Sequence, residues 1–186
     1  MIEFEEKVIE SIIKDFEIDL GNSNFMDTIR TCIPLFGEKI INEWKEKVKI
    51  YPNKLAIKNI EKSLETIDNT QVMLFIQRDN PTLLYEYIVN LQKNIYLIIL
   101  ALNSQYFPTF KWMYNSFETF NIKPRNIEQR FRHVFECSPN EAFETVSSII
   151  TETIVLINKI YPEINTDIVK DRMNTSRKVY DSPIIL

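Results

Sequence analysis

The chain has 186 residues, a formal net charge of -4 and a pI of about 5.2. A chain of this length fits one domain and buries enough surface to fold without disulfides or a metal ion. Its two glycines are too few for a fold rich in tight β-turns. The acidic balance disfavours a dedicated nucleic-acid binder, because phosphate binding requires a basic surface.

The cysteines and the hydropathy of the chain indicate in which cellular compartment we expect the protein. Cys32 and Cys137 are far apart and in no metal-ligand spacing, so we expect two reduced thiols. The first residues are acidic, whereas a secretory signal begins with basic residues. The longest apolar run, residues 95–102, is much shorter than the roughly 20 residues of a membrane span. The sequence therefore predicts a cytoplasmic protein without a membrane or nucleic-acid partner.

Helical periodicity begins at the N-terminus. Apolar residues at steps of three and four predict a first helix over about residues 3–17. We expect Gly21–Asn24 to end it and to cap the next segment. That segment, about residues 25–50, is interrupted at Pro34, because an interior proline removes a helical hydrogen bond. The stripe of the first helix consists of Val8, Ile9, Ile12, Ile13 and Phe16.

The middle of the chain predicts the longest helix. A third helix begins at Tyr51-Pro52, and a short apolar helix follows a break at residues 68–70. Asn80-Pro81 begins a helix of about residues 81–104, because asparagine caps well and proline is tolerated at the first position. The second half of this helix is apolar on all sides, so we place it at the centre of the fold.

The last third predicts four more helical segments. They are residues 108–120, 124–137, 139–160 and 166–179. The third of these follows Ser138, which begins a capping box with a proline at the first helical position. We therefore predict an all-α, up-and-down bundle of about six to eight helices. In domain terms, residues 1–20 form an N-terminal helix and residues 21–186 form the bundle.

Complete catalytic motifs are absent from the sequence. It has no glycine-rich phosphate loop, and its one histidine, His133, makes a histidine-based metal centre or a Ser-His-Asp triad improbable. We predict no catalytic residue and no metal site in this chain.

Several polar residues stand out against the apolar helices. Glu152 lies in a nearly all-apolar helix, and a buried carboxylate must be paired or protonated, so it either faces a cleft or meets an arginine. Arg78-Asp79 precedes the long helix and forms either a site pair or an ordinary loop pair. Another polar and aromatic group lies at and just after the end of that helix: Asn103, Tyr106, Lys111 and Trp112. These residues form either a polar pocket with an aromatic wall or ordinary loop packing.

The segment Leu102–Trp112, LNSQYFPTFKW, resembles the LNxxYFPxxKW signature of a known family. The signature belongs to the helical C-terminal half of bacterial nucleotidyltransferases of the polymerase-β superfamily, which are related to the antibiotic nucleotidyltransferases. The resemblance extends over about residues 25–183. The other similar segments, in the family's order, are residues 36–41, residues 51–56, Arg78-Asp79, residues 151–153, and residues 161–165 with Arg172 and Arg177 beyond.

The resemblance implies a substrate-binding domain without catalysis of its own. Family catalysis needs a Gly-Ser motif and an Asp-x-Asp pair that holds Mg²⁺ on the nucleotide phosphates, and this chain has neither. Mg²⁺ and a nucleoside triphosphate are therefore implied only together with a catalytic domain as partner, and no cofactor is implied for this chain alone.

The resemblance also implies which residues bind substrate. Lys111 would meet a phosphate or an acidic acceptor, and Glu152 would pair with Arg78 or bind a polyhydroxyl or amine acceptor. The full set expected to line or adjoin one cleft is Asn103, Tyr106, Lys111, Trp112, Arg78, Asp79 and Glu152.

A second hypothesis is a helical interaction module without a small-molecule site. It expects an exposed apolar stripe on the first helix, at Ile9 and Ile12, that packs against a partner or a second copy of the chain. A third hypothesis, a ligand-binding regulator, has little support because no helix-turn-helix with a basic recognition helix is visible.

Overall fold

The structure, a computed structural model, describes residues 2–15, 19–68 and 71–174. All regular secondary structure in these ranges is helical, which confirms the predicted all-α class. Three of the ten α-helices have seven residues or fewer, which is why they outnumber the predicted six to eight. The helices are α1 (Ile2–Asp15), α2 (Leu20–Thr31), α3 (Glu38–Val48), α4 (Asn53–Glu65), α5 (Val72–Gln77), α6 (Pro81–Leu102), α7 (Met113–Phe117), α8 (Ile127–His133), α9 (Pro139–Ile160) and α10 (Asp167–Asn174), with a short 3₁₀ helix at Phe110–Trp112.

Helix α6 forms the centre of the fold, as predicted. It packs against α4, α5 and α9, and most of its second half is buried. Its start is the predicted one, since the Asn80 side chain accepts the Leu83 N–H at 3.2 Å. Helix α9 also begins as predicted, with the Ser138 hydroxyl accepting the Glu141 N–H at 3.3 Å. Local capping chemistry therefore sets the boundaries of the two longest helices.

The start of α2 differs from the prediction. Gly21–Asn24 lies inside the helix rather than before it. The cap is Asp19, whose carboxylate accepts the Asn22 N–H at 2.7 Å. Aspartate is one of the strongest N-cap residues, and here it outweighs the helix-breaking tendency of one glycine. The end predicted for the first helix, with Phe16, lies outside the described residues.

The predicted interruption at Pro34 is present. Helix α2 ends at Thr31 and α3 begins at Glu38 after a connection that ends in Gly37. Gly37 has φ of 66°, a left-handed conformation that favours glycine. The Lys45 ammonium donates to the Cys32 carbonyl and so ties this connection to α3.

The region from 108 to 137 is less helical than predicted. Thr109 has φ of 126°, and the chain after it forms only the 3₁₀ helix and the short α7. Helix α8 begins three residues after Pro124 because Asn126 adopts a left-handed conformation with φ of 51°. Neither proline therefore opens a helix directly.

Helix α1 belongs to the common core. Its Ile9 and Ile12 are 0% and 1% exposed, and the helix packs on α3. The expectation of an exposed apolar stripe at these two residues is wrong, because another part of the same chain covers them. None of the helices in the described ranges combines the length and the apolarity needed to cross a bilayer.

Candidate functional site

The seven predicted site residues do not share one cleft. Arg78 and Asp79 precede α6, whereas Asn103 follows its last residue. Helix α6 has 22 residues, so its two ends are about 33 Å apart at 1.5 Å per residue. The expectation that these side chains converge is therefore wrong, and each has its own local environment.

Asn103 is a structural residue of the loop after α6. Its amide nitrogen donates to the Ile99 carbonyl at 2.8 Å and to the Ile122 carbonyl at 2.7 Å. Its amide oxygen accepts the Ile122 N–H at 3.1 Å. The side chain therefore joins the end of α6 to the chain 19 residues later, and every one of these bonds is internal.

Tyr106 is buried in an aromatic and cationic environment. It is 1% exposed, its ring centroid is 4.9 Å from that of Tyr51, and the Arg30 guanidinium lies 5.4 Å from the ring centroid. Burial raises the pKa of the Tyr106 phenol to about 12. The hydroxyl has no hydrogen-bond partner within the described part of the chain. Tyr106 packs beneath the surface and lines no open cleft.

Lys111 and Trp112 lie on the surface. Trp112 is 51% exposed, and the Lys111 ammonium is 5.6 Å from its ring centroid. This is a cation–π arrangement, which at an exposed position contributes only about 0.5–1 kcal/mol.

Arg78 and Asp79 also lie on the surface. Both are exposed, and Asp79 has φ of 47° in the turn before α6. The hollow beside Asp79 has a volume of about 40 Å³, room for little more than a water molecule.

Glu152 forms an ion pair with an arginine, which was one of the two alternatives predicted for it. Its carboxylate accepts from the Arg130 guanidinium at 2.7 Å and from the Arg125 N–H at 3.0 Å. The expected partner Arg78 is wrong, because α8 packs against this part of α9. The half-buried ion pair holds α8 on α9.

A cavity lies between the start of α2, helix α4 and helix α6. Its volume is about 230 Å³, and none of the seven predicted residues lines it. Two neighbours from the signature segment do, namely Gln105 and Phe107. The cavity combines apolar and polar side chains: Asp19, Leu20, Ser23, Tyr51, Asn59, Lys62, Ser63, Thr66, Asn94, Leu97, Leu100, Gln105 and Phe107.

Helix α2 fixes the signature segment at the edge of this cavity. The Ser23 hydroxyl accepts the Phe107 N–H at 2.9 Å, and the Asn24 amide donates to the Pro108 carbonyl at 2.9 Å. The Arg30 guanidinium donates to the Gln105 side-chain oxygen. The α2 residues and their partners are 75 to 84 positions apart, so no local pattern could have revealed these contacts.

One group of side chains outside the cavity has metal-ligand chemistry. The ligand atoms of His133, Cys137 and Glu141 all lie within 4.8 Å of one another. Cys32 and Cys137 are not in metal-ligand spacing with each other, and one histidine alone predicts no metal centre. The sequence does contain a His-x₃-Cys-x₃-Glu spacing, which places three ligand types at the junction of α8 and α9.

One comparison with known proteins matches part of the chain. A family model described as a domain of unknown function, DUF4037, matches residues 33–113. The match runs from the connection before α3 to the first residue of α7 and contains every cavity-lining residue except Asp19, Leu20 and Ser23. No curated protein and no solved structure matches the chain.

Proposed function

We propose that this chain is a substrate-binding helical domain that serves a nucleotidyltransferase catalytic segment and has no transferase activity alone. The cavity between α2, α4 and α6 carries the proposal. In this proposal it binds a small polyhydroxyl or amino acceptor, while Mg²⁺ and the nucleotide are held by the catalytic partner.

The chemistry of the cavity suits such an acceptor. One part of its wall is apolar and aromatic, formed by Tyr51, Leu97 and Phe107 among others. The rest carries side-chain amides, hydroxyls and two opposite charges, Asp19 and Lys62. A sugar-like ring has apolar faces and a polar edge, so it satisfies both parts of such a wall.

The size of the cavity narrows the ligand class. Its volume of about 230 Å³ is below the roughly 300–1,000 Å³ of pockets that enclose drug-sized ligands. It suits a single ring better than an intact nucleotide or a multi-ring antibiotic. A larger acceptor would insert one ring and leave the rest exposed to the catalytic partner.

Two further observations support the proposal. The signature segment contributes Gln105 and Phe107 to the cavity. The sequence also lacks the Gly-Ser and Asp-x-Asp motifs that would hold a metal-bound nucleotide. The missing chemistry is therefore assigned to another polypeptide segment.

Ligand binding to the purified chain tests the cavity. We expect saturation-transfer NMR to show binding of at least one of glucosamine, galactosamine and myo-inositol, but not of ATP with Mg²⁺. Asn94→Trp should abolish the signal, because Asn94 lines the cavity. Asn90→Trp is the matched control, because Asn90 lies one turn earlier in α6, is exposed and does not line the cavity. Binding that survives Asn94→Trp, or no binding of any ring compound, would contradict the cavity assignment.

A separate measurement tests the accessory role. The purified chain with nucleoside triphosphates, Mg²⁺ and these acceptors should release no pyrophosphate above the buffer rate. Robust turnover would exclude a domain that depends on a separate catalytic segment, whatever the binding experiment shows.

A helical interaction module is the second candidate. The observation that supports it lies in the connection between α2 and α3 rather than in α1. In this connection Ile33, Leu35 and Phe36 are 85%, 85% and 91% exposed. Three exposed apolar side chains in four positions are unusual for a monomer and typical of a contact surface. A solution mass above that of a monomer that Phe36→Ser returns to monomer would favour this candidate.

A further inference from the structure

We propose that His133, Cys137 and Glu141 form a binding site for a transition-metal dication, with Zn²⁺ as the best match. This site is separate from the cavity and from the proposed acceptor function. It lies at the junction of α8 and α9.

The backbone of this junction brings the three side chains together. His133 is the last residue of α8, and the Cys137 N–H donates to its carbonyl at 3.1 Å, which closes one further turn. Ser138 then caps α9, and Glu141 lies in the first turn of that helix. Local backbone hydrogen bonds thus set the spacing of the three ligands.

The distances are close to those of a tetrahedral site. Zinc bonds of about 2.0–2.3 Å place ligand atoms roughly 3.3–3.8 Å apart. Here the His133 Nε2 and a Glu141 carboxylate oxygen are 2.9 Å apart, a hydrogen bond that a bound metal would replace, and all three ligand atoms lie within 4.8 Å of one another. His133 and Glu141 are about half exposed, so rotation of their side chains can close the remaining gap without moving the core.

The ligand types select the metal. An imidazole, a thiolate and a carboxylate suit Zn²⁺ or Co²⁺, whereas Mg²⁺ and Ca²⁺ prefer oxygen ligands only. Three protein ligands leave a fourth position open to water. His133 also lines a neighbouring groove, together with Arg130, Glu136 and Glu144, among others.

The local charge favours a dication. Glu136, Glu141 and Glu144 lie on or beside the site. The two arginines that line the neighbouring groove are already paired, Arg130 with Glu152 and Arg132 with Glu128. A bound dication would offset the negative charges of the three glutamates.

Cobalt substitution tests the site in the full chain. Titration with CoCl₂ in a phosphine reductant should produce a thiolate-to-cobalt charge-transfer band that saturates at equimolar metal. Cys137→Ser should abolish the band, whereas Cys32→Ser, the matched control at the other cysteine, should retain it. His133→Asn and Glu141→Gln should weaken Co²⁺ and Zn²⁺ affinity by roughly tenfold or more.

Circular dichroism of each variant separates loss of binding from loss of folding. Cys137→Ser is a small change at a partly exposed position, so the helical signal should be unchanged. Absence of the band in the folded, reduced parent chain would overturn the proposal. A band that depends on Cys32, or that survives Cys137→Ser, would also overturn it.

Discussion

At the residue scale, the polar residues of the signature segment act mainly in holding the chain together. Asn103 uses both atoms of its amide on backbone groups of Ile99 and Ile122. A backbone group left without a partner in a half-buried position costs about 1–3 kcal/mol. This residue type at the end of α6 is therefore explained by the loop it holds, without a ligand.

Replacing Asn103 should destabilise the fold. We expect Asn103→Leu to lower the free energy of unfolding by about 2–3 kcal/mol, because both Ile122 backbone groups lose their partner. Asn103→Asp should also destabilise, since a carboxylate accepts the Ile122 N–H but donates to neither carbonyl. Urea unfolding measures both, with Asn90→Leu on the exposed face of α6 as control. A loss in acceptor binding without a loss in stability would instead assign Asn103 to the site.

At the element scale, two segments that both contain several apolar residues differ in burial. Helix α1 places Ile9 and Ile12 in the core against α3, whereas the connection at Ile33, Leu35 and Phe36 remains exposed. Helical periodicity identifies an apolar face, but it does not identify what covers that face. Of these two segments, the connection after α2 is the one whose apolar side chains are exposed.

Truncation of an α1 core residue tests this assignment. Ile12→Ala should lower the free energy of unfolding by about 2–4 kcal/mol, because it removes buried methyl groups and leaves a cavity. Leu35→Ala, at an 85% exposed position, should change it by less than about 0.5 kcal/mol. Light scattering should show the same solution mass, and therefore the same oligomeric state, for Ile12→Ala and the parent chain. If the substitution reduced the solution mass but left stability unchanged, α1 would pack against a second copy of the chain.

At the scale of the whole molecule, the core depends on phenols that remain neutral. Burial raises the pKa of Tyr96 and of Tyr106 to about 12, and it raises the pKa of Tyr51 further still. Tyr51 lines the cavity, Tyr106 packs against Tyr51, and Tyr96 packs against Phe107. The bundle therefore accommodates their neutral forms and excludes their phenolates.

The pH dependence of stability follows from these shifts. The unfolded chain releases phenol protons near pH 10, whereas the folded chain retains those of Tyr96 and Tyr106 to about pH 12. The unfolded state thus binds fewer protons above about pH 10, and stability should fall as pH rises through this window. Below about pH 10 the contribution is fully present.

Urea midpoints measured across this range check the prediction. The urea midpoint of Tyr106→Phe should fall less steeply with pH than that of the parent chain. At neutral pH the variant should be at least as stable as the parent, because the lost hydroxyl has no partner in the described part of the chain. If the urea midpoints of the two chains fell equally steeply with pH, the Tyr106 phenol would not be protected from ionisation in the folded chain.

The sequence alone determined the helical class, the central position of α6 and the starts of the two longest helices. Caps such as Asn80-Pro81 and Ser138-Pro139 act within three or four residues, and a helical period is complete within a few turns, so both are visible in a short stretch of chain. An arginine partner was one of the two alternatives predicted for Glu152, since a carboxylate in an apolar helix requires compensation wherever it lies.

Only the tertiary structure decided which residues meet. It selected Arg130 for Glu152, packed α1 on α3 and brought Ser23 against Phe107. Such contacts join positions far apart in the chain, and they depend on how helices cross, which is set by the packing of many side chains together. A resemblance in residue order could therefore indicate the segment beside the cavity, but it could not identify the side chains that line it.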